Sequence, residues 1–310
     1  MQYLIDASVY VFRAWHSMPD DLVDGEGNPV NAFYGWCRFL GDFLERVRPD
    51  RVAVLFDESL STSFRNRLYP EYKANREPAP EALKRQFDLC RRYSRALGVM
   101  ACAHPTFEAD DLIGTLVVEG RAAGMPSTIV SRDKDLAQLV GPRDVFWDFS
   151  GKGRLGYEQI PEVFGVMPEQ IADFLALAGD SVDNIPGVPG VGRKTAAALL
   201  AHFGTLEVLY ANLDRVCDVN CRGAKTLAAR LEEHREAVLL ARQLTGIACD
   251  AEFERPPGGL AVRAPDLEAV HAICDEAGFG LALRRQAERL AEQLGSPAAA
   301  AGPALAPGRA

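Results

Sequence analysis

The stretch Phe107-Glu108-Ala109-Asp110-Asp111-Leu112-Ile113-Gly114 sets three acids within four positions at the mouth of an apolar run. Carboxylates seldom sit beside a core without a compensating partner. The same juxtaposition recurs elsewhere in the chain. "YLIDAS" is a short apolar run ending in Asp6, and "RVAVLFDES" ends in Asp57. "GVMACAH" leads into Glu108, Asp110 and Asp111, "STIVSRDKD" runs into Asp133 and Asp135, and "DVFWDF" reads as a fifth strand. Helical patterns such as "NAFYGWCRFLGDFLERV" and "LIGTLVVEGRAAG" lie between them. Strands alternating with helices predict a mostly parallel α/β sheet with flanking helices. In such sheets ligands bind along the carboxyl edge. Asp also starts turns and caps helices, so one such acid means little, whereas four strand ends carrying acids imply a shared role.

The chain has 310 residues, 48% apolar and 25% charged, which is ordinary globular composition and length enough for one large domain or two modest ones. No apolar run approaches the roughly 18 residues of a membrane span. The start, "MQYLIDASVY", lacks the basic and apolar regions of a signal peptide. The seven cysteines are scattered and read as reduced thiols. Cys217 and Cys221 form a C-x3-C without the second pair a zinc site needs. These features predict a cytoplasmic protein with no membrane contact. The net charge of −9 excludes a uniformly basic nucleic-acid coat. It is compatible with acids gathered in one pocket and basic surface elsewhere.

In "LALAGDSVDNIPG", Asp180 and Asp183 stand three apart after an apolar helix, a spacing that places both on one helical face. The candidate acids are then Asp6, Asp57, Glu108, Asp110, Asp111, Asp133, Asp135, Asp180 and Asp183. Two unit charges 4 Å apart repel by about 4 kcal/mol at an effective dielectric near 20. Several such pairs would exceed the roughly 5–15 kcal/mol that holds a domain together. A pocket of this kind persists with bound cations, with raised carboxyl pKa values, or with some acids splayed toward water. An all-oxygen donor set selects Mg²⁺ or Mn²⁺, and no EF-hand loop points to calcium. Two hard ions about 3.5–4 Å apart suit phosphodiester cleavage. His16, His104, His202, His234 and His271 accompany no nucleophile motif and read as structural or solvated.

Residues 64–95 hold nine Arg or Lys and four acids. Leu83, Phe87, Cys90, Ser94 and Leu97 fall on one helical stripe, with Lys84, Arg85, Arg91, Arg92 and Arg95 largely off it. This is either a solvated helix face or a phosphate-binding one, with Tyr69 or Tyr72 available to stack on a base. "GVPGVGRKT" fails the P-loop test, because Arg193 intervenes before Lys194-Thr195 and no strand precedes it. It reads better as the turn of a helix-hairpin-helix, where Gly187, Gly190 and Gly192 let backbone N–H groups approach a phosphate and Arg193, Lys194 and Thr195 open the next helix. "GRKTAAALL" (192–200) and "GAKTLAARL" (223–231) repeat the pattern G-x-K-T-x-A-A-x-L.

Together these motifs resemble the 5′ nuclease family: the N-terminal domain of bacterial DNA polymerase I, the phage 5′ exonucleases and the flap endonucleases. The resembling residues run from "LIDASVYVFRAWH" through "VLFDE", "YPEYKANR", "FEADDLIGTL", "SRDKDLAQL" and "LALAGDSVDNIPGVPGVGRKTAAALLAHFG" to about "AGFGLALRR". The resemblance implies a PIN-like nuclease core over about 1–160 with a helical arch at about 65–97. It further implies a helical duplex-binding region over about 161–290. The end of the chain, "SPAAAAGPALAPGRA", has no amphipathic period and many breakers and reads as a disordered tail, placed at 291–310. The resemblance implies Asp6, Asp57, Glu108, Asp110 and Asp111 as ligands of one metal ion, and Asp133, Asp135, Asp180 and Asp183 as ligands of a second. Lys73 would be the active-site lysine, with Tyr72 and Arg76 beside it. Lys84 and Arg85 would lie on the DNA-facing arch. A K⁺ ion held by the carbonyls of the hairpin, at Val188 and Val191, would help grip the duplex. The implied activity is that of a monomeric, stand-alone 5′→3′ exonuclease and flap endonuclease. It would act on DNA with 5′ ends, flaps, nicks or gaps, in replication and repair. "DASVY" replaces the commoner Asp-Gly-Ser start and leaves the metal Asp intact. The alternatives are a structure-specific DNA-binding protein with a vestigial metal site, against which the full acid set argues, and a PIN-like ribonuclease, against which the repeat argues.

Overall fold

The computed structural model describes residues 1–58, 61–151, 153–221 and 223–295. Its six strands are β1 (Gln2–Asp6), β2 (Val52–Asp57), β3 (Met100–His104), β4 (Ser127–Val130), β5 (Val145–Trp147) and β6 (Arg154–Gly156), ordered β3-β2-β1-β4-β5-β6. β1 runs parallel to β4, with Gln2 opposite Ser127 and Ile5 opposite Val130, and β4 runs parallel to β5. Leu4, Ile5, Ile129 and Val130 are fully buried, as expected for central parallel strands covered on both faces. The five expected strands are present. The sixth, β6, is a three-residue antiparallel edge, too short and too close to glycine to show in sequence periodicity.

The strand order reverses at β1, which lies between β2 and β4. Such a switch point opens a crevice outside the carboxyl ends of the strands. The register brings Asp6, at the end of β1, beside the residue following β4: Ser131 Oγ donates to Asp6 Oδ2 at 2.7 Å.

The chain packs as two compact units, one of residues 1–9, 54–79 and 102–254, the other of residues 10–53, 80–101 and from 255 onward. In the second, the helix Glu81–Ala96 buries Leu83, Gln86, Leu89, Cys90, Tyr93 and Ser94. Leu83, Cys90, Ser94 and Leu97 of the expected stripe are buried, whereas Phe87 is half-buried and Gln86, Leu89 and Tyr93 turn inward beside it. Gln86 Oε1 accepts the Phe33 N–H at 2.9 Å, and Ser94 Oγ accepts the Trp36 indole N–H at 3.0 Å. The last helix, Leu281–Gly295, runs five residues into the expected tail, whose remainder lies outside the described residues. Among the described residues no two cysteines are joined by a disulfide. Among the described residues no helix is long and apolar enough to cross a membrane.

Candidate active site

Every acid singled out from the sequence lies in the first unit. Asp6 ends β1 and Asp57 ends β2. Asp57 Oδ1 accepts the Ala109 N–H at 2.9 Å, which fixes the start of the helix Ala109–Ala122 against β2. Glu108 is the N-cap of that helix, and Asp110 and Asp111 occupy its first turn, where the helix dipole favours negative charge. Asp133 caps a short 3₁₀ turn, its Oδ1 accepting the Asp135 N–H at 3.0 Å. Asp180 and Asp183 are not on a helix, as their spacing suggested. The helix Ile171–Ala178 ends at Gly179, whose φ of 79° few side chains tolerate. Asp180 and Ile185 then close a tight turn through reciprocal backbone bonds of 2.8 and 2.7 Å.

Glu108, Asp110, Asp135, Asp180 and Asp183 line one cavity together with Arg65 and Tyr72. Burial, then Asp57, pushes Asp6 up to about 7 despite the hydrogen bond from Ser131. Burial, then Asp133, Asp180 and Asp183, pushes Asp135 up to about 8. Asp110 is raised well above the carboxylate range by burial and by Asp133, Asp6 and Asp57. Asp133 is exposed at the rim, yet the surrounding protein and then Asp183 still raise it. Glu108 goes the other way. Burial disfavours its charge, but Lys73 and Arg65 outweigh that and hold its pKa low.

Cations line one wall. Lys73 Nζ donates to Glu108 Oε1 at 2.7 Å and lies 3.9 Å from Asp183 Oδ2. The Tyr72 hydroxyl lies 3.0 Å from Glu108 Oε2 and 3.1 Å from Asp183 Oδ2 and shares its one proton between them. Burial and those two acids raise its pKa, so it remains a donor. Arg76 Nη2 pairs with Asp183 Oδ1. Among the described residues no three acids form a ready ligand set for one ion. Glu108 and Asp183 are turned toward Lys73, Tyr72 and Arg76.

The hairpin follows the Asp180–Ile185 turn. A Cβ on Gly187 would lie 2.4 Å from both Ala178 C and Gly179 N, so glycine is demanded by backbone approach. Gly190 has φ 78°, whereas a Cβ on Gly192 would meet nothing within 4 Å. The helix Arg193–Phe203 starts directly after Gly192, with Lys194 exposed in its first turn and the Arg193 guanidinium 4.7 Å over the Phe174 ring. The second copy of the repeat opens the helix Ala224–Glu233 and reaches back, with Arg230 Nη1 donating to Pro189 O at 2.9 Å.

Residues 1–165 match the 5′-3′ exonuclease N-terminal resolvase-like domain, and residues 166–268 match the 5′-3′ exonuclease C-terminal SAM fold. The chain belongs to the 5′-3′ exonuclease family. This family member is 43% identical over 277 residues to DNA polymerase I of Pseudomonas aeruginosa, covering 89% of the chain and 30% of that protein. It is 38% identical over 281 residues to DNA polymerase I of Bacillus caldotenax, covering 89% and 31%. It thus spans about a third of the length of these relatives. Its fold is similar to that of the phage T5 5′-exonuclease, in a structure with bound zinc ions (TM-score 0.63, 18% identity, 94% of this chain and 98% of that one). It is also similar to the catalytic core of Rad2, in a complex with DNA substrate (TM-score 0.59, 15% identity, 94% and 92%).

Within this 5′-3′ exonuclease fold, three expectations change. Asp111 is paired with Arg65, which it shares with Glu108. Its oxygens accept from Arg65 at 2.7 and 2.8 Å, from the Ala248 N–H at 2.9 Å and from the Glu108 N–H at 3.0 Å, and it is fully buried. Both oxygens accept two bonds each, so in this structure Asp111 anchors the start of its helix to Arg65 and Ala248. Tyr72 is 3% exposed and cannot stack on a base. Arg85 is committed to the buried Asp24 at 2.7 Å, while Lys84 stays exposed beside Glu81. Sequence reading missed Arg65, which is 2% exposed and also donates to Leu244 O at 2.9 Å and Gly246 O at 2.8 Å. Within a run of nine basic residues nothing distinguished the one that turns inward. His104, read as structural, is so: its Nδ1 accepts from the Thr106 and Phe107 N–H groups at 3.0 and 3.1 Å.

Proposed function

We propose that the chain is a structure-specific 5′ nuclease that hydrolyses DNA phosphodiesters at 5′ ends and 5′ flaps with two divalent metal ions, Mg²⁺ or Mn²⁺. The observation that carries this reading is the convergence of Asp6, Asp57, Asp110, Asp133 and Asp135. Their mutual repulsion and burial raise several of them, and a hard cation satisfies such an oxygen-only set. Asp6, Asp57, Glu108 and Asp110 would hold one ion, and Asp133, Asp135, Asp180 and Asp183 the other. Bound there, such ions lower the pKa of water and neutralise phosphate charge. The chain's own groups do the rest. Lys73 and Arg76 stabilise negative charge at the scissile phosphate, and Tyr72 keeps Glu108 and Asp183 at a fixed separation by sharing its one proton between them. The hairpin 187–192 and the first turn of the helix after it, with Lys194, hold a duplex phosphate remote from the chemistry.

The nuclease core of about 1–160 and the duplex-gripping region of about 161–290 are the corresponding functional division. A K⁺ ion at the Val188 and Val191 carbonyls would share the hairpin with bonds the chain already makes. Of the hairpin carbonyls, Val188 O already accepts the Val191 N–H at 2.9 Å and Pro189 O accepts Arg230. The test is cleavage of matched DNA and RNA 5′-flap substrates with Mg²⁺, and in excess chelator. DNA flaps should be cut in Mg²⁺ alone. Undiminished cleavage in chelator would end the metal reading, a preference for RNA flaps would indicate a ribonuclease, and binding without cleavage would indicate a vestigial site.

A further inference from the structure

Two turns of the first unit, 69–76 and 179–185, are laced together at the acid site. Lys73 N–H donates to Asp183 O at 3.0 Å, Asn75 Nδ2 to Ser181 O at 2.9 Å, and Asn184 Nδ2 to Glu71 O at 2.7 Å. Each turn carries a non-glycine residue in the left-handed region, Lys73 at φ 56° and Asn184 at φ 58°. Such conformations are strained and persist where the surroundings over-determine them. Here the cross-links between the turns do so, and their effect is to seat the Lys73 ammonium against Glu108 and near Asp183. The Lys73 side chain is 11% exposed there.

That seat is occupied at a cost to any incoming ion. Glu108 Oε2 already accepts from Tyr72 and Arg65, and Oε1 is held by Lys73. A divalent cation that takes Glu108 must share Oε1 with an ammonium 2.7 Å away, and two cations that close repel strongly in a part-buried site. Resting on the function proposed above, we infer that the Lys73 ammonium is a built-in counter-ion that a divalent cation displaces, so that ion binding loosens the clasp between residues 69–76 and 179–185 and frees Lys73 for the substrate phosphate. Before the ion arrives, the ammonium lies between Glu108 and Asp183. Afterwards the same lysine is available where negative charge develops. Metal loading and presentation of the lysine are thereby one event.

The test uses the full chain without DNA, titrated with Mn²⁺ by calorimetry, in wild-type, Lys73→Met and Lys73→Arg forms. Lys73→Met should bind Mn²⁺ roughly 5- to 150-fold more tightly than wild type, the usual span of coupling between two bound groups. Lys73→Arg, which keeps the charge, should bind as wild type. Independently of any variant, Mn²⁺ should speed hydrogen–deuterium exchange of the wild-type amides in 69–76. Equal or weaker Mn²⁺ binding by a natively folded Lys73→Met, or exchange that is unchanged or slowed, overturns the inference. If wild type binds Mn²⁺ and cuts a 5′ flap while Lys73→Met binds no tighter, displacement alone is wrong. If wild type neither binds nor cuts, the nuclease reading falls with it.

Discussion

The carboxylate of Asp111 is matched oxygen for oxygen by the guanidinium of Arg65, Oδ1 accepting from Nη2 at 2.7 Å and Oδ2 from Nη1 at 2.8 Å. The pair is sealed from water and ties the start of the helix Ala109–Ala122 to the segment 244–248. Removing one partner strands a buried charge, which costs about 3–5 kcal/mol. Arg65→Ala should therefore destabilise the protein by about that much in urea unfolding, and a loss under about 1 kcal/mol would show the pair to be incidental.

Asp135 should behave in the opposite way. It is crowded by Asp133, Asp180 and Asp183. Asp135→Asn should leave the metal-free protein as stable as wild type or more stable, while removing cleavage and the rise in melting temperature that divalent ion gives wild type through native-state binding. Thermal melts with chelator and with Mg²⁺ decide this.

The hairpin glycines should not be equivalent. Gly187→Ala places a methyl against the backbone of Ala178 and Gly179, and overpacking of this kind costs about 1–3 kcal/mol. Gly192→Ala meets open space. Gly187→Ala should lower stability and duplex affinity together, and Gly192→Ala should change stability by less than about 1 kcal/mol. Equal losses would mean that the hairpin turn is not built as described.

Lys73 and Lys194 carry equal charge at different places. Lys73→Ala should cut single-turnover cleavage by roughly 10²–10³ with little change in affinity, the scale of losing one transition-state donor. Lys194→Ala should leave the saturated rate near normal, weaken duplex binding, and reduce the salt slope by about 0.9. Identical or swapped profiles would refute the division between chemistry and grip.

The second unit has its own pH signature. Hydrogen bonds from Asn28, backbone and side chain, together with Arg85, hold Asp24 down at about 2. A folded-state pKa below the unfolded value of about 3.9 stabilises above that value and is lost as pH falls through about 2. The stability gap between wild type and Asp24→Asn should thus be full near pH 5 and shrink between about pH 4 and 2. A gap that is constant with pH would mean the carboxylate charge contributes nothing.

What the sequence by itself determined is the sheet and the position of the acids along the chain. Apolar runs of strand length followed by acids place Asp6, Asp57 and Asp133 at the carboxyl edge in any parallel arrangement, because strand direction and side-chain period leave no other place for them. Glycines mark the hairpin for a similar local reason, since Gly187 and Gly190 answer to backbone approach and positive φ. Only the tertiary structure decided which charges face one another. Asp110 and Asp111 are adjacent in sequence, yet the helix turns one toward the acids and the other onto Arg65. Asp180 and Asp183 have helical spacing but sit on a turn that Gly179 begins. Arg65, Arg76 and Arg85 are alike in composition but differ in partner: one is sealed beneath the site, one is paired at its rim, and one is spent on Asp24 in the other unit. Periodicity sets the face a residue presents, whereas the partner of a charge depends on chain segments tens to hundreds of residues away, which local pattern does not encode.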